Sequence, residues 1–253
     1  MKCVDGIPRI WTETFRIRSF DVGLNTFVSP HALCRLIQEA AGNHAYQLRV
    51  ATDLLADQKL MWVLSQIRIV LTDWPQWRED ISIQTWPTTR SSGVRAFRDF
   101  RVLNARQDQI GMGSSRWLLL SIDNRRPTKL PESIKQFQTA GLEEELLADI
   151  IFEPPQRVTF QKDFDVRPSE IDLNRHVNNV CYVQWAVDTL PIEHLQKSKL
   201  KELCVSYTSE AKYGDIVAAT AEQLTSSPFS FRHEITNKST GQTFALLKTI
   251  WHS

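Results

Sequence analysis

The sequence predicts an α+β protein built as two copies of one unit, each a strand followed by a long helix and then a run of antiparallel strands that covers the helix. Three observations predict it. Strand-like alternation and helical periodicity follow one another in that order twice within 253 residues. A charged stretch closing on Glu153-Pro154-Pro155 lies between the two runs and reads as a linker. A faint internal match also keeps its order: Phe20-Asp21-Val22 with Phe164-Asp165-Val166, then Leu24, Asn25 and Val28 with Leu173, Asn174 and Val177, then Val70, Asp80 and Ile81 with Val205, Asp215 and Ile216.

In the first half, residues 11–20 place Phe15 and Ile17 on one face and Arg16 and Arg18 on the other, as a half-buried strand does. A helix comes next. Ser29 is a good N-cap and Pro30 takes the favoured first helical position; Ala32, Leu33, Leu36, Ile37, Ala40 and Ala41 then give an apolar face opposite His31, Arg35, Gln38 and Glu39. Met61–Leu71, Ile81–Trp86, Val94–Leu103 and Gly111–Ser121 read as strands. Ser133–Arg157 breaks the pattern, with a charged helical piece at Leu142–Ile151. The pattern restarts with a strand at Val158–Phe164, a helix at Asn178–Leu190, and strands at Glu202–Ser209, Asp215–Glu222, Phe229–Thr236 and Thr243–Trp251. The chain therefore divides into an N-terminal domain at 1–133, a linker at 134–156 and a C-terminal domain at 157–253. The second helix is apolar around nearly its whole circumference, interrupted only by Gln184, Asp188 and Thr189, so it is expected to be enclosed by protein until Pro191 stops it.

Hydrophobic residues make up 42% of the chain and charged residues 23%, with a net charge of +1, so nothing points to nucleic acid as a partner. No apolar run at the N-terminus reads as a signal peptide, and no stretch of about eighteen apolar residues occurs, so a cytoplasmic protein without a membrane span is expected. Cys3, Cys34, Cys181 and Cys204 form no CxxC pair, which predicts reduced, mostly buried thiols and neither a zinc site nor a disulfide framework. No metal and no cofactor are expected. The tryptophans, Trp62, Trp74, Trp77 and Trp86 among them, read as core and sheet-edge packing.

The chemistry is expected at Ser169–Pro191, where a polar cluster runs into the apolar helix. Asp172, Asn174 and His176 fall at every second position, so an extended segment would put all three on one side of the backbone. Asn178 follows as N-cap. Glu210 ends the strand-like run before the turn at Gly214-Asp215, a natural place for a side chain to enter a cleft. A carboxylate, an imidazole and an amide together can activate a water near neutral pH and supply a donor for a developing oxyanion, as hydrolysis at a carbonyl needs. Glu210 is assigned as general base, Asn174 as holder of the acyl carbonyl, His176 as the group that polarises carbonyl or water, and Asp172 as the group that orients both. Backbone N–H groups after Asn178 are further oxyanion candidates. Each residue alone has an ordinary structural explanation, as cap, turn residue or satisfied histidine. The joint pattern is much more specific.

That pattern, Asp172-Leu173-Asn174-Arg175-His176-Val177-Asn178-Asn179 with Tyr182, Trp185 and Pro191, resembles the signature of the acyl-ACP thioesterases. The resemblance continues at Tyr207-Thr208-Ser209-Glu210-Ala211, Phe15–Phe20, Leu36–Ala40 and Asn43-His44, and so covers most of the chain. It implies a tandem double hotdog fold and hydrolysis of fatty acyl-ACP thioesters, the step that ends fatty-acid synthesis. It also implies a partner, acyl carrier protein bearing the acyl chain on phosphopantetheine, and catalytic roles for Asp172, Asn174, His176 and Glu210. One departure matters: where many plant members have a cysteine after the glutamate, this chain has Ala211, so a thiol nucleophile there is impossible. Cys204, six residues from Glu210, lies about 20 Å away along an extended chain and is no substitute. In the internal register Asp172 faces Gly23, His176 faces Phe27 and Glu210 faces Pro75, which predicts one active site per chain and leaves the first half to hold the acyl chain.

An acyl-CoA thioesterase, a hotdog dehydratase acting on 3-hydroxyacyl thioesters, and a non-catalytic acyl-binding protein are the alternatives; free thiol release separates the hydrolases from the other two. An acidic carrier predicts a basic docking surface, for which three clusters are available: Arg90, Arg95, Arg98 and Arg101; Arg125, Arg126 and Lys129; and Lys197, Lys199 and Lys201. The assembly is left open, with a homodimer among the possibilities.

Overall fold

The computed structural model describes residues 3–4, 6–139, 150–172, 175–224 and 229–252. The chain divides into two compact units: Met1–Arg16, Arg35–Arg68 and Glu79–Ala148 in the first, Ile17–Cys34, Ile69–Arg78 and Asp149–Ser253 in the second. A short hairpin of β1 (Cys3–Val4) and β2 (Ile7–Pro8) opens the chain.

The first unit's strands are β3 (Trp11–Arg16), β4 (Leu60–Leu71, continuing past the unit), β5 (Asp80–Pro87), β6 (Arg95–Leu103) and β7 (Gln109–Ser121), in the spatial order β3-β5-β6-β7-β4. Helix α1 (Pro30–Gln47) precedes β4, with α2 (Thr52–Ala56) after it, and α3 (Glu132–Lys135) follows β7. Strand β3 alternates as expected but ends at Arg16, not at Phe20. The cause is Asp21, fully buried, whose carboxylate accepts the Arg18 backbone N–H at 2.9 Å and turns the chain. Ser29 caps α1 through its Oγ, which accepts the Ala32 N–H at 3.3 Å. A satellite core of Leu55, Leu119, Leu130 and Ile134 forms beside Val50, Leu60, Trp62 and Ala96. It explains α3, which straddles the expected domain boundary at 133: Ile134 needs that apolar contact.

The second unit holds β8 (Phe160–Asp165), a 3-10 turn at Pro168–Glu170, α4 (Asn179–Asp188), α5 (Ile192–Lys197), β9 (Lys199–Tyr207), β10 (Ile216–Gln223), β11 (Ser230–Asn237) and β12 (Thr243–His252). Its spatial order is β8-β10-β11-β12-β9, with every neighbouring pair antiparallel. Ranked along the chain, both sets of five strands run first, third, fourth, fifth, second. Helix α4 lies against β10, β11 and β12 and buries Cys181, Tyr182, Val183, Trp185, Ala186 and Val187, which is why almost its whole surface is apolar. Trp185 meets Tyr182 edge-on at 5.3 Å and stacks on Phe164 at 6.2 Å. Burying an aromatic of this size is worth roughly 4–6 kcal/mol by area. The helical piece expected at Leu142–Ile151 falls outside the described residues as far as 149; Ile150 and Ile151 have no regular structure. No helix among the described residues is long and apolar enough to cross a membrane.

Candidate active site

The segment expected to be extended is instead a tight loop. Ile171 and Val177 form an isolated antiparallel bridge. Inside it, the Asp172 N–H donates to the His176 carbonyl at 2.8 Å and the Arg175 N–H to the Asp172 carbonyl at 3.0 Å. Closing so short a loop puts Arg175 in the left-handed region at φ 63°, a conformation that costs a non-glycine residue about 1–3 kcal/mol and collects at functional sites. The Asp172 carboxylate accepts the His176 backbone N–H at 3.3 Å, so this acid orients the histidine through its backbone. Asn174 lies outside the described residues. Asn178 is the N-cap of α4 as expected, its Oδ1 accepting the Val180 N–H at 3.0 Å. Its carbonyl accepts the Cys181 N–H at 2.9 Å, so two of the backbone donors expected for an oxyanion are already engaged.

Strand β9 ends at Tyr207, two residues short of the expected Ser209, and Glu210 lies in the segment that follows it. Its Oε2 lies 3.3 Å from His176 Nε2, with the two side chains 33% and 18% exposed, so water can reach the pair without surrounding it. Two anchors fix this geometry from the residue after Glu210. The buried Ala211 donates its N–H to Tyr182 Oη at 2.8 Å, and its carbonyl accepts the Val177 N–H at 3.2 Å. Tyr182 thus ties the glutamate segment to α4, a role the sequence reading did not assign. Burial pushes its phenol up, well clear of neutral pH, so it acts as a neutral hydrogen-bonding group. Tyr207 Oη donates to the Asn179 carbonyl at 3.2 Å and pins the start of the same helix to β9.

The thiols have no part in this arrangement. Cys34, Cys181 and Cys204 are unbridged and buried, as expected. Burial pushes Cys34 and Cys181 up to about 12, with Glu170 and Asp172 adding to the effect at Cys181. A thiol so protonated is no nucleophile near neutral pH.

The profile of the acyl-ACP thioesterase N-terminal domain matches residues 8–137, and that of the C-terminal domain matches residues 153–253. The chain belongs to the acyl-ACP thioesterase family. It is similar to the chloroplastic oleoyl-acyl carrier protein thioesterase 2 of Arabidopsis thaliana, 27% identical over 261 residues that take in 91% of this chain and 66% of the relative. The corresponding protein of Coriandrum sativum is 26% identical over 84% of this chain and 62% of its own length. The chain therefore spans less than two thirds of these plant relatives. Among solved structures, an acyl-ACP thioesterase from Bacteroides thetaiotaomicron superposes with a TM-score of 0.87 at 23% identity, covering 96% of this chain and 98% of that one. The 12:0-ACP thioesterase from Umbellularia californica gives 0.86 at 20% identity, covering 97% and 98%. The fold is the tandem double hotdog.

In this chain the site loop occurs twice. Val22 and Val28 form the same bridge as Ile171 and Val177; Gly23 N–H donates to Phe27 O at 2.9 Å, Thr26 N–H to Gly23 O at 3.0 Å, and Thr26 sits at φ 67°. The Val28 N–H donates to Pro75 O at 2.8 Å as that of Val177 does to Ala211 O. Pro75 therefore corresponds to Ala211, one residue off the register read from sequence, and Trp74 takes the place of Glu210. Where the second loop has an imidazole and a carboxylate, the first has Phe27 and Trp74, with Lys199 Nζ 4.0 Å and 5.1 Å from their ring centres. Asn25 spends its amide on the Ser198 carbonyl at 2.6 Å and the Phe27 N–H at 3.2 Å. Nothing in this copy can abstract a proton from water.

The first unit also forms a half-open cavity of about 200 Å³, between the C-terminal part of α1, the inner face of the sheet and α3. Its walls are mostly apolar and include Ala41, Ala45, Trp62, Phe97, Trp117 and Leu130, so two tryptophans line a chamber as well as packing. The structure also corrects the first basic cluster. Arg98 turns inward and lines this cavity, and Arg90 is bound to the buried Asp99, so neither belongs to an exposed patch.

Proposed function

We propose that this chain hydrolyses fatty acyl-ACP thioesters, releasing free fatty acid and the carrier thiol. The observation that carries the reading is the His176–Glu210 pair, 3.3 Å apart on two segments tied together through Ala211, in a member of this family. Glu210 takes a proton from water as its oxygen attacks the thioester carbonyl. The carbonyl oxygen becomes an oxyanion facing His176 and the amide of Asn174. Collapse of the intermediate breaks the C–S bond, and the proton on Glu210 passes to the departing sulfur. Asp172 positions His176. No cofactor enters the scheme.

In the same reading the chain acts as an N-terminal acyl-binding domain at 1–133, a linker at 134–156 and a catalytic domain at 157–253. Supporting it, the first copy of the site loop carries Phe27 and Trp74 in place of the polar pair, and the first unit has the apolar cavity. The carrier protein docks on basic surface, for which the exposed Arg125, Arg126 and Lys129, or Lys197 and Lys201, remain. A cytoplasmic location completes the proposal; unbridged cysteines suit a reducing compartment. The test is a panel of acyl-ACPs of graded chain length, read by free thiol and free fatty acid, with acyl-CoA in parallel. Thiol release from acyl-ACP at rates above acyl-CoA is expected, and absence of release from every acyl-ACP overturns the reading.

A further inference from the structure

We propose that the cavity of the first unit selects aliphatic chains that carry an oxygen acceptor, a hydroxyl, oxo or carboxylate group, bound by Arg98. The inference rests on the reading of this half as the acyl site but adds a chemical preference to it. Arg98 reaches the cavity from β6, and its Nη1 donates to His44 Nδ1 at 3.1 Å and to Thr85 Oγ1 at 3.2 Å. His44 Nε2 lies 3.2 Å from the Pro8 carbonyl, where it must donate, so Nδ1 is the lone-pair acceptor and the ring is neutral. Burial and the neighbouring guanidinium push that imidazole down to about 3, which keeps it neutral throughout the working range.

Both protein partners of Arg98 are therefore uncharged. The adjacent acid, Asp99, accepts from Arg90 and Ser114 instead. No carboxylate forms an ion pair with Arg98 among the described residues. Burial lowers its pKa to about 10, which still leaves it a cation at neutral pH. A cation beside an apolar chamber with no counter-ion is a standing penalty unless something in the chamber answers it. A second donor points the same way: Gln38 also lines the cavity, and its buried Nε2 has no acceptor among the described residues. Among the described residues that line the chamber there is no carboxylate, so the guanidinium is the one charge on its walls. A plain hydrocarbon filling it would expel the water that solvates the guanidinium, whereas an oxygen on the chain would replace that water. At about 200 Å³ there is room for roughly seven groups the size of a water or a methylene, enough for the outer part of an acyl chain.

The preference is read as a ratio, because a poorly folded variant lowers both terms alike. Hydrolysis of acyl-ACPs of one chain length, unsubstituted against hydroxylated or oxo-substituted toward the tail, is compared in wild type, Arg98→Lys and Arg98→Met. Wild type should favour the oxygenated chain in kcat/KM by about 10–100-fold, the scale of a buried donor satisfied against one left bare. Arg98→Met should bring the ratio near one and Arg98→Lys should keep part of it. A second arm needs no turnover: displacement of a fluorescent fatty-acid probe by free fatty acid, its methyl ester and the hydroxylated acid. Arg98-dependent displacement by plain fatty acid but not its ester identifies the acceptor as a carboxylate, and Arg98-dependent preference for the hydroxylated acid identifies it as an oxygenated tail. Equal binding and turnover of plain and oxygenated chains, unchanged in Arg98→Met, overturns the proposal while leaving the thioesterase reading intact. Loss of acyl-ACP hydrolysis with an Arg98-dependent displacement pattern does the reverse.

Discussion

At the scale of single residues, the decisive feature is that Glu210 is held by its neighbour. Ala211 has no side chain to contribute, yet its two backbone groups fix the glutamate beside His176. Glu210→Gln keeps the shape and removes the basicity, so turnover should fall by about 10²–10⁴-fold with acyl-ACP binding little changed. Cys181→Ser and Cys204→Ser should stay active under the same assay; a dead serine variant beside a live glutamine variant would return the mechanism to a thiol. Tyr182→Phe tests positioning. It leaves the buried Ala211 N–H without its partner, a loss of about 1–3 kcal/mol, and kcat should drop while KM and the pH profile hold. A fall in stability with kcat unaltered would limit Tyr182 to a packing role. The residue types of the proposed site could be singled out in the sequence because they are polar where their surroundings are apolar. Tyr182 could not, since a tyrosine in an apolar helix looks like core.

At the scale of elements, the long strands and the two long helices were legible, while the short helices α2, α3 and α5 and the loops were not. Periodicity located α1, α4 and every long strand to within a few residues, because each has one environment per face. The loop from Ile171 to Val177 obeys no period. Its shape comes from two backbone hydrogen bonds and a left-handed Arg175, and a non-glycine residue in that conformation leaves no mark in sequence. The same cause hid the turn at Asp21. Caps are the exception, being single residues with a stated job. Asn178→Ala and Ser29→Ala should each cost about 1 kcal/mol in chemical denaturation, by removing the side-chain acceptor at the head of α4 and α1. Turnover should separate them. Asn178 stands two residues from His176 and heads the helix that carries Tyr182, so its alanine variant should also slow hydrolysis several-fold, whereas Ser29 heads the helix behind the loop of Phe27. Equal kinetic effects would show that loop geometry is indifferent to which copy it belongs to.

At the scale of the molecule, duplication is the organising fact, and each half has buried one histidine in its own way. His44 in the first unit and His233 in the second are both fully buried, the latter with Nε2 2.9 Å from Thr249 Oγ1. The internal repeat was faint in the sequence because duplication keeps hydrogen-bond patterns and strand order while side chains drift, so only a handful of residues still matched. Neither histidine belonged to that match, and their burial depends on contacts across each sheet that no local pattern encodes. Burial pushes both down from an ordinary 6.5 to about 3, with Arg98 adding to the effect at His44 and His194 at His233. In the unfolded chain each takes up a proton near pH 6.5, while in the folded protein each stays neutral until about pH 3. The unfolded state therefore binds more protons throughout that window. Stability is fully present above pH 6.5 and falls with acidification at about 1.4 kcal/mol per pH unit for each histidine until the folded pKa is reached. Both together remove roughly 5 kcal/mol by pH 4.5, a large share of a typical 5–15 kcal/mol total. Urea unfolding from pH 7.5 to 4.5 should show the midpoint dropping steeply below pH 6.5, and His233→Gln should flatten that slope by about half even if its stability at pH 7.5 is lower. A wild-type midpoint that stays level across this range would mean that both imidazoles are protonated in the fold, and with them the neutral acceptor assigned to Arg98 would go.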